Sequence, residues 1–423
     1  MSDPAAPLAD LRIDGERLWQ RILELGEIGA VHGPNGEQGC ARLALTDADR
    51  EGRELVVGWM HDLGLSVAVD AIGNVVATRA GSDPNAAPVM TGSHIDTVRT
   101  GGRFDGNLGV LAGLEVIETL AQHDIVTRRP VQVAFFTDEE GSRFAPDMLG
   151  SLVFVGGLAL EEALDAQAAD DGARLGDELN RIGFAGPTPC PTAAPPAAYV
   201  ELHIEQGPVL EAHDTTIGVV TGVQGISWTE HIVTGRSAHA GTTPMQMRRD
   251  PLVVVAKIVA EADRLARDMG GAQVATVGRL DVFPDLVNVI AQRATFTLDL
   301  RNTDEALLRE AERAMARFIE ETCRAGDCTV ETKTLARFEP VVFDDSMIDR
   351  VERVAGELGN TSMRMPSGAG HDAQMLARIC PTSMIFVPSV DGLSHNIAEY
   401  TTPADIAAGA NVLLHTLLEV ANS

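Results

Sequence analysis

Aromatic side chains are scarce in this sequence, 4% of 423 residues against 45% apolar, so its cores must be built from aliphatic side chains. Cysteine is scarcer. Cys40, Cys190, Cys323, Cys328 and Cys380 are odd in number and form no CxxC pair, which argues against a disulfide framework and for a reduced, cytoplasmic setting. Cys323 and Cys328 lie close together but have no neighbouring Cys/His pair, and read as ordinary thiols. Positive charge is short as well. Lys and Arg number 33 against 61 Asp and Glu, a formal net charge of -28. That leaves no basic footprint for nucleic acid or an anionic membrane. An anionic substrate would need local positive charge from metal ions or an arginine. No run approaches the ~20 consecutive apolar residues of a membrane span. The opening MSDPAAPLADLRIDGERLW has no basic start leading into an apolar stretch, so no signal peptide is expected. No HExxH helix occurs, which excludes a single-zinc protease of that type.

The length suits two domains better than one core. An amphipathic helix is predicted from Asp14 to about Gly29, and a second from Thr46, capped with Asp49, to Gly64. LSVAVDAIGNVVATRAG reads as a hairpin about Ile72-Gly73-Asn74. PVMTGSH, VQVAFFT and AYVELHI read as buried strands, each ending in a polar cluster, with a helix from about Leu108 to Ala121 between the first two. Strands alternating with helices imply an α/β sheet covered on both faces, and ligands in such sheets gather beyond the strands' carboxyl ends. TPCPTAAPPAA is a proline-rich loop. From about Gly222 the order becomes β-α-β-β-α-β, with a helix opened by Asp250-Pro251 and another capped by Asn302 and Glu305. This is the split βαβ unit of a ferredoxin-like sandwich. The α/β pattern resumes with a helix from Ser346, the strand TSMIFVPSV and a last helix after Thr402-Pro403. The expected organisation is a discontinuous α/β domain, residues 1–221 and 334–423, interrupted by an α+β domain, residues 222–333.

Three of the eleven histidines read as standing at the ends of apolar strands: His94 in GSHIDT, His203 in ELHIEQG and His395 in GLSHN. Asp96, Asp105 in GGRFDGN, and Glu139 and Glu140 in DEEG stand near such ends too. Any one histidine at such a position is ordinarily structural. Several imidazoles and carboxylates aimed at one sheet edge are a different matter, because packing that charge without a cation is costly. Imidazole and carboxylate without thiolate suit Zn²⁺, Mn²⁺, Co²⁺ or Ni²⁺. Five ligands exceed one tetrahedral site and suit two ions sharing a carboxylate, roughly 3.5–4 Å apart. Glu139 and Glu140 would face opposite ways on a regular strand. At a strand end a turn brings both into one site, one to bind metal and the other to remain free as a base.

GSHIDTVRTGGRFDG, FFTDEEGSRF, ELHIEQGPVLE, GRSAHAGTTPM, VNVIA…LDLR, SGAGHDA and GLSHN together resemble the N-carbamoyl-L-amino-acid hydrolases. Those belong with allantoate amidohydrolases and β-ureidopropionases in the aminoacylase/carboxypeptidase superfamily of dinuclear metal hydrolases. The resemblance covers nearly the whole chain. It implies a zinc-peptidase-like α/β/α catalytic domain with an inserted ferredoxin-like lid and dimerisation domain, and two divalent ions per subunit. His94 and His203 would bind one metal and the other respectively, Asp105 would bridge them, and Glu140 and His395 would complete the shell. The peptide between Asp105 and Gly106 is often cis in the family. Asp96 would be the carboxylate that orients His94, and Glu139 the general base. His239, Asn288 and Arg301 from the inserted domain, and Gln206 and Gly370 from the first, would touch substrate. The counterpart of His239 acts across a subunit boundary. His371, beside Gly370, reads as either structural or a contact.

The reaction so implied is cleavage of a C–N bond in a small carboxylate-bearing ureido or amide compound. The foremost expectation is conversion of an N-carbamoyl-L-amino acid to the L-amino acid, CO₂ and NH₃. Allantoate and N-carbamoyl-β-alanine share the same groups. Arg301, with a planar fork suited to two oxygens, is the expected partner of the substrate carboxylate. The rivals are a dipeptidase or aminoacylase on the same scaffold, and a non-catalytic protein that keeps the fold for binding.

Overall fold

The computed structural model describes residues 10–423. Residues 1–9, the start of the run read above as lacking a signal peptide, lie outside the described residues. The chain divides into two compact units, Met1–Gly222 with Val342–Ser423, and Val223–Val341.

The first unit is built on a nine-stranded sheet. Its centre is four parallel strands in the order Thr382–Val387, Ala198–Ile204, Val89–His94, Val131–Phe136. Every residue of the first three is buried. Both sheet faces are therefore covered, which is why these strands read as continuous apolar runs without alternation. The hairpin Ser66–Val69/Val75–Arg79 joins antiparallel to Val131–Phe136. Helices Asn107–Gln122 and Pro403–Asn422 pack on the central strands. Among the described residues, Pro403–Asn422 is the one helix long and apolar enough to cross a membrane. Here it is a core helix, with Leu413, Leu414 and Leu417 buried.

Helix starts follow the capping rules. The side chains of Asp14, Thr46 and Thr402 each accept N–H groups of the first turn. Thr46 accepts from Asp49 N–H while Asp49 accepts from Leu45 N–H, a near-reciprocal cap.

The second unit holds an antiparallel sheet in the order Val274–Thr276, Arg293–Asn302, Gly225–Thr234, Thr329–Phe338, with Leu280–Phe283 also paired to Arg293–Asn302. Counted along the chain, the four principal strands lie 2-3-1-4, the ferredoxin-like order. Helices Pro251–Met269 and Glu305–Ala325 bury Val254, Val255 and Ile258, and Leu308, Met315 and Ile319, in one core with Val233, Phe296 and Leu298 of the sheet. The three- and four-residue spacings of those side chains are what give each helix one apolar face.

Three local details differ from the sequence reading. The cap of Glu305–Ala325 is Asp304, which accepts from Leu307 N–H, while Asn302 accepts from Asp304 N–H. AQVATVGRLDVF breaks into two strands, and Val289–Ile290 leaves the main sheet to pair with Ala238–His239. The unit also runs to Val341 beyond the expected 333, because strand Thr329–Phe338 is longer than CTVETKTL.

Candidate metal centre

The polar groups of the first unit converge where its parallel strands end. His94 closes Val89–His94, and His203 is the last residue but one of Ala198–Ile204. Asp138, Glu139 and Glu140 follow Val131–Phe136, and His395 lies in the segment after Thr382–Val387. Asp105 and Gly106 precede helix Asn107–Gln122.

Asp105 is the hub. Its Oδ1 lies 3.2 Å from His203 Nε2 and 3.6 Å from His94 Nε2, and its Oδ2 lies 3.6 Å from His395 Nε2. His395 Nε2 is also 3.2 Å from Glu140 Oε2, and His94 Nε2 is 3.3 Å from Glu139 Oε2. Two donor groups share Asp105, His94–Asp105–His203 and Asp105–Glu140–His395, and a third, Glu201–His203–His371, shares His203; in each the donor atoms lie within 4.8 Å of one another. The resemblance had implied a separate metal for His94 and for His203; here both fall in one donor group. Both strand-end histidines lie on one oxygen of Asp105, because their strands are neighbours in the sheet. The peptide between Asp105 and Gly106 is not among the cis bonds of the described residues. Gly106 instead takes φ +67°, and a Cβ there would lie 2.4 Å from the His94 ring, so the position requires glycine.

The tautomers of both strand-end histidines are set by the backbone. His94 Nδ1–H donates to the Asp96 carbonyl and His203 Nδ1–H to the Ile204 carbonyl, each at 2.9 Å. In the neutral rings the Nε2 lone pair of His94 therefore faces only carboxylate oxygens, an opposition that a cation or a proton relieves, while that of His203 lies beside Asp105 and also accepts the Gly106 N–H at 3.2 Å. Imidazole Nε2 and carboxylate oxygens around a shared carboxylate fit divalent metal.

Asp96 acts differently from the expectation. Its carbonyl, not its carboxylate, orients His94; the carboxylate is 3.9 Å from Nδ1. That carboxylate accepts the N–H groups of Glu139 and Glu140, one on each oxygen at 3.3 Å. Asp138 adopts φ +55°, which turns the chain so that neither glutamate faces away. Gln206 Nε2 donates to Asp105 Oδ2 at 2.7 Å. Gly370 stands close to Met148, whose Cε would meet a Cβ there at 2.9 Å.

The electrostatics show how crowded the site is. Burial lifts the Glu139 carboxyl well above the usual range, with Asp372 and Glu140 adding to the shift against the pull of His94. Burial lifts Asp96 to about 6. Burial opposes ionisation of Asp105, but hydrogen bonds and charge from His203 and His94 outweigh it and hold that carboxyl well below its ordinary value. Burial likewise lowers the His94 imidazole, and the surrounding Glu139, Asp105 and Asp96 more than reverse it. Glu140 raises His395 to about 9.

Several buried groups at this site were not singled out from sequence. Glu399, lifted to about 8 by burial and Asp105, accepts the N–H groups of Phe104 and Asp105. The half-buried Ser394 places its one hydroxyl between Asp105 Oδ2 and Glu399 Oε2, at 2.8 and 2.9 Å. Glu201 accepts from Ser93 Oγ and Ala373 N–H. His371, left open above, is buried with Nε2 on Ser367 Oγ and its ring 4.5 Å from that of His203. A regular motif would not have revealed them; their one signal is a polar residue inside an otherwise apolar or turn segment.

The second unit carries the other expected residues. His239 is exposed, and its Nδ1 accepts from the N–H groups of Gly241 and Thr242. Asn288 accepts Ala240 N–H on its carbonyl and precedes Val289, which pairs with His239. Arg301 pairs with Asp299 at 2.9 Å and lies over Trp228.

A parallel sheet with a carboxylate shared between two histidine-containing donor groups at its carboxyl edge defines a metallohydrolase. The chain belongs to peptidase family M20/M25/M40, whose model matches residues 90–419, and within it to the amidohydrolases. It is 44% identical to an N-carbamoyl-L-amino-acid amidohydrolase of Rhizobium meliloti over 99% of each chain. It is 43% identical to an N-carbamoyl-L-amino acid amidohydrolase of Geobacillus stearothermophilus over 97% of this chain and 99% of that one. A crystal structure of an amidase of the hydantoinase/carbamoylase family from Burkholderia multivorans superposes with a TM-score of 0.92 at 47% identity, covering 98% of this chain and 99% of that one.

Proposed function

We propose that this chain hydrolyses N-carbamoyl-L-amino acids to the L-amino acid, CO₂ and NH₃. The observation that carries the reading is the position of Asp105, one oxygen toward His94 and His203 and the other toward His395 and Glu140. The likeness to the two amidohydrolases named above supplies the substrate class. Those five residues would hold two divalent ions, Zn²⁺ or Mn²⁺ with Co²⁺ or Ni²⁺ as further candidates. Ions so held lower the pKa of water toward about 7 and polarise a carbonyl oxygen.

The protein's own groups would do the rest. Glu139, buried and raised, takes the proton of the attacking water and returns it to the departing nitrogen. Gln206 and Gly370 are assigned to substrate contacts from the first unit. In the second unit, His239 accepts two N–H groups at Nδ1, so the neutral ring carries its proton on Nε2, the form that donates to a developing oxyanion. Asn288 lies beside it in the chain pairing. Arg301, its guanidinium held against Trp228, is assigned to the substrate carboxylate.

We further propose a homodimer formed through the inserted unit. Strand Thr329–Phe338 supports it: the strand pairs on one side only within the sheet and is mostly exposed over its first seven residues. Sedimentation of the purified protein as a monomer would refute this. Five free thiols support a reducing, cytoplasmic setting, which fractionation of producing cells would check.

The deciding experiment is a panel of N-carbamoyl-L-amino acids, N-carbamoyl-β-alanine, allantoate, N-acyl amino acids and dipeptides, each with Mn²⁺, Zn²⁺, Co²⁺ and Ni²⁺, reading the ammonia or amine released. Preferred turnover of N-carbamoyl-L-amino acids is expected. Faster turnover of dipeptides would replace the reading with a peptidase.

A further inference from the structure

Glu399 is 3% exposed, and its carboxylate faces two segments far apart in the chain. Its Oε1 accepts the N–H groups of Phe104 and Asp105, at 3.1 Å each. Its Oε2 accepts from Ser394 Oγ at 2.9 Å, and the same hydroxyl lies 2.8 Å from Asp105 Oδ2. Ser394 precedes His395, which is held at φ +52°, a conformation a non-glycine residue keeps only when its surroundings impose it. The approach of Glu399 to the 102–105 segment depends on Gly102, where a Cβ would fall 2.1 Å from Oε1. One buried carboxylate thus joins the peptide that carries Asp105 to the neighbour of His395. The tie is reinforced by Thr100 Oγ1, which donates to the His395 carbonyl at 3.2 Å.

We propose that Glu399 is a positioning residue that fixes Asp105 and His395 relative to each other, and so sets how tightly the Asp105–Glu140–His395 group holds its cation. It touches neither the expected ion nor the substrate. It acts through the backbone N–H groups on one side and the Ser394 hydroxyl on the other. This role rests on the metal-centre reading. The function depends on shape and acceptor capacity rather than charge. In the Glu399→Gln variant the amide oxygen still accepts both N–H groups, and the amide N–H donates to Ser394 Oγ, leaving the serine proton for Asp105. The Glu399→Ala variant loses every one of these bonds.

The test is chelator competition and metal analysis on the whole protein, with kcat and KM measured at saturating metal. Glu399→Ala should keep one ion as the wild type does and bind the other about 10–100-fold more weakly, the usual cost of losing a group that orients a ligand. Its kcat should fall while KM stays. Glu399→Gln should bind both ions as the wild type does. Wild-type affinity for both ions in Glu399→Ala overturns the inference, even if that variant melts earlier. A Glu399→Gln variant as deficient as Glu399→Ala overturns it too, since charge would then be what matters. If Glu399→Ala does not fold, Ser394→Ala decides: weakened retention of one ion supports the tie, and unchanged affinity for both refutes it. A wild-type protein that binds no divalent ion would sink the metal-centre reading itself, a result distinct from these.

Discussion

Two carboxylates next to each other in sequence, Glu139 and Glu140, are given different neighbours by where the turn at Asp138 points them. Glu140 meets His395 and Glu139 meets His94, while Asp96 holds the N–H groups of both. Removing the ionisable oxygen of Glu139 should therefore spare metal and remove proton transfer. Glu139→Gln is expected to bind two ions and lose about 10²–10⁴-fold in kcat, measured by metal analysis beside steady-state kinetics. Wild-type turnover would remove Glu139 as the base. Gly106 makes the converse case, a residue without chemistry whose replacement reaches a ligand. Gly106→Ala places a Cβ 2.4 Å from His94 on a residue with φ +67°, which alone costs about 1–2 kcal/mol. The ring must move, and metal affinity should drop about 10–100-fold in a chelator titration. The sequence made Glu139, Asp105 and the histidines visible because their motifs are dense in polar residues at strand ends. Asp96 was visible, but not its manner of action. Whether a carboxylate or its own carbonyl meets an imidazole is decided by a turn that no pattern of residue types specifies.

Elements were legible where one periodicity dominated. The buried strands Val89–His94, Ala198–Ile204 and Thr382–Val387 announced themselves as apolar runs, and the helix starts at Asp14, Thr46 and Thr402 as polar residues ahead of helical spacing. Where two polar residues competed, as Asn302 and Asp304 do, only the geometry separates the cap from the residue that supports it. His231 was passed over entirely, since a histidine inside a strand carries no motif. It is 4% exposed, stacked on Phe296, and bonded to Thr229 Oγ1 on its own strand and to Thr332 Oγ1 on strand Thr329–Phe338. Burial lowers its pKa to about 4. The unfolded chain, with an ordinary histidine near 6.5, binds more protons between those two values, so stability is full above about pH 6.5 and is lost as pH falls toward 4. The loss amounts to no more than about 3.4 kcal/mol. Hydrogen-exchange protection factors in Gly225–Thr234, taken relative to the intrinsic rate at each pH, should fall over that window in the wild type. In His231→Gln the pH dependence should flatten, and an unchanged slope would show that another group sets it.

At the scale of the molecule, the sequence disclosed an insertion because the order of elements changes twice, from strand–helix alternation to β-α-β-β-α-β and back. The expected far boundary at 333 falls inside strand Thr329–Phe338, which runs three residues past CTVETKTL, and the compact unit continues to Val341. The division has a consequence for metal removal. His94, Asp105, Glu140, His203 and His395 all belong to the unit formed by Met1–Gly222 and Val342–Ser423. Ions that bind only the folded site stabilise it by about 2.7 kcal/mol at a hundredfold excess over Kd, and removing them restores the opposition of lone pairs around Asp105. A chelator should therefore abolish turnover and speed hydrogen exchange through Val89–His94 and Ala198–Ile204, where the ligands are anchored. Exchange in Arg293–Asn302, a central strand of the other unit, should stay as it was, because no ligand comes from it. Equal acceleration in both strand sets would mean that the ions stabilise the inserted unit as well, and that the ligand set drawn from the first unit alone is incomplete.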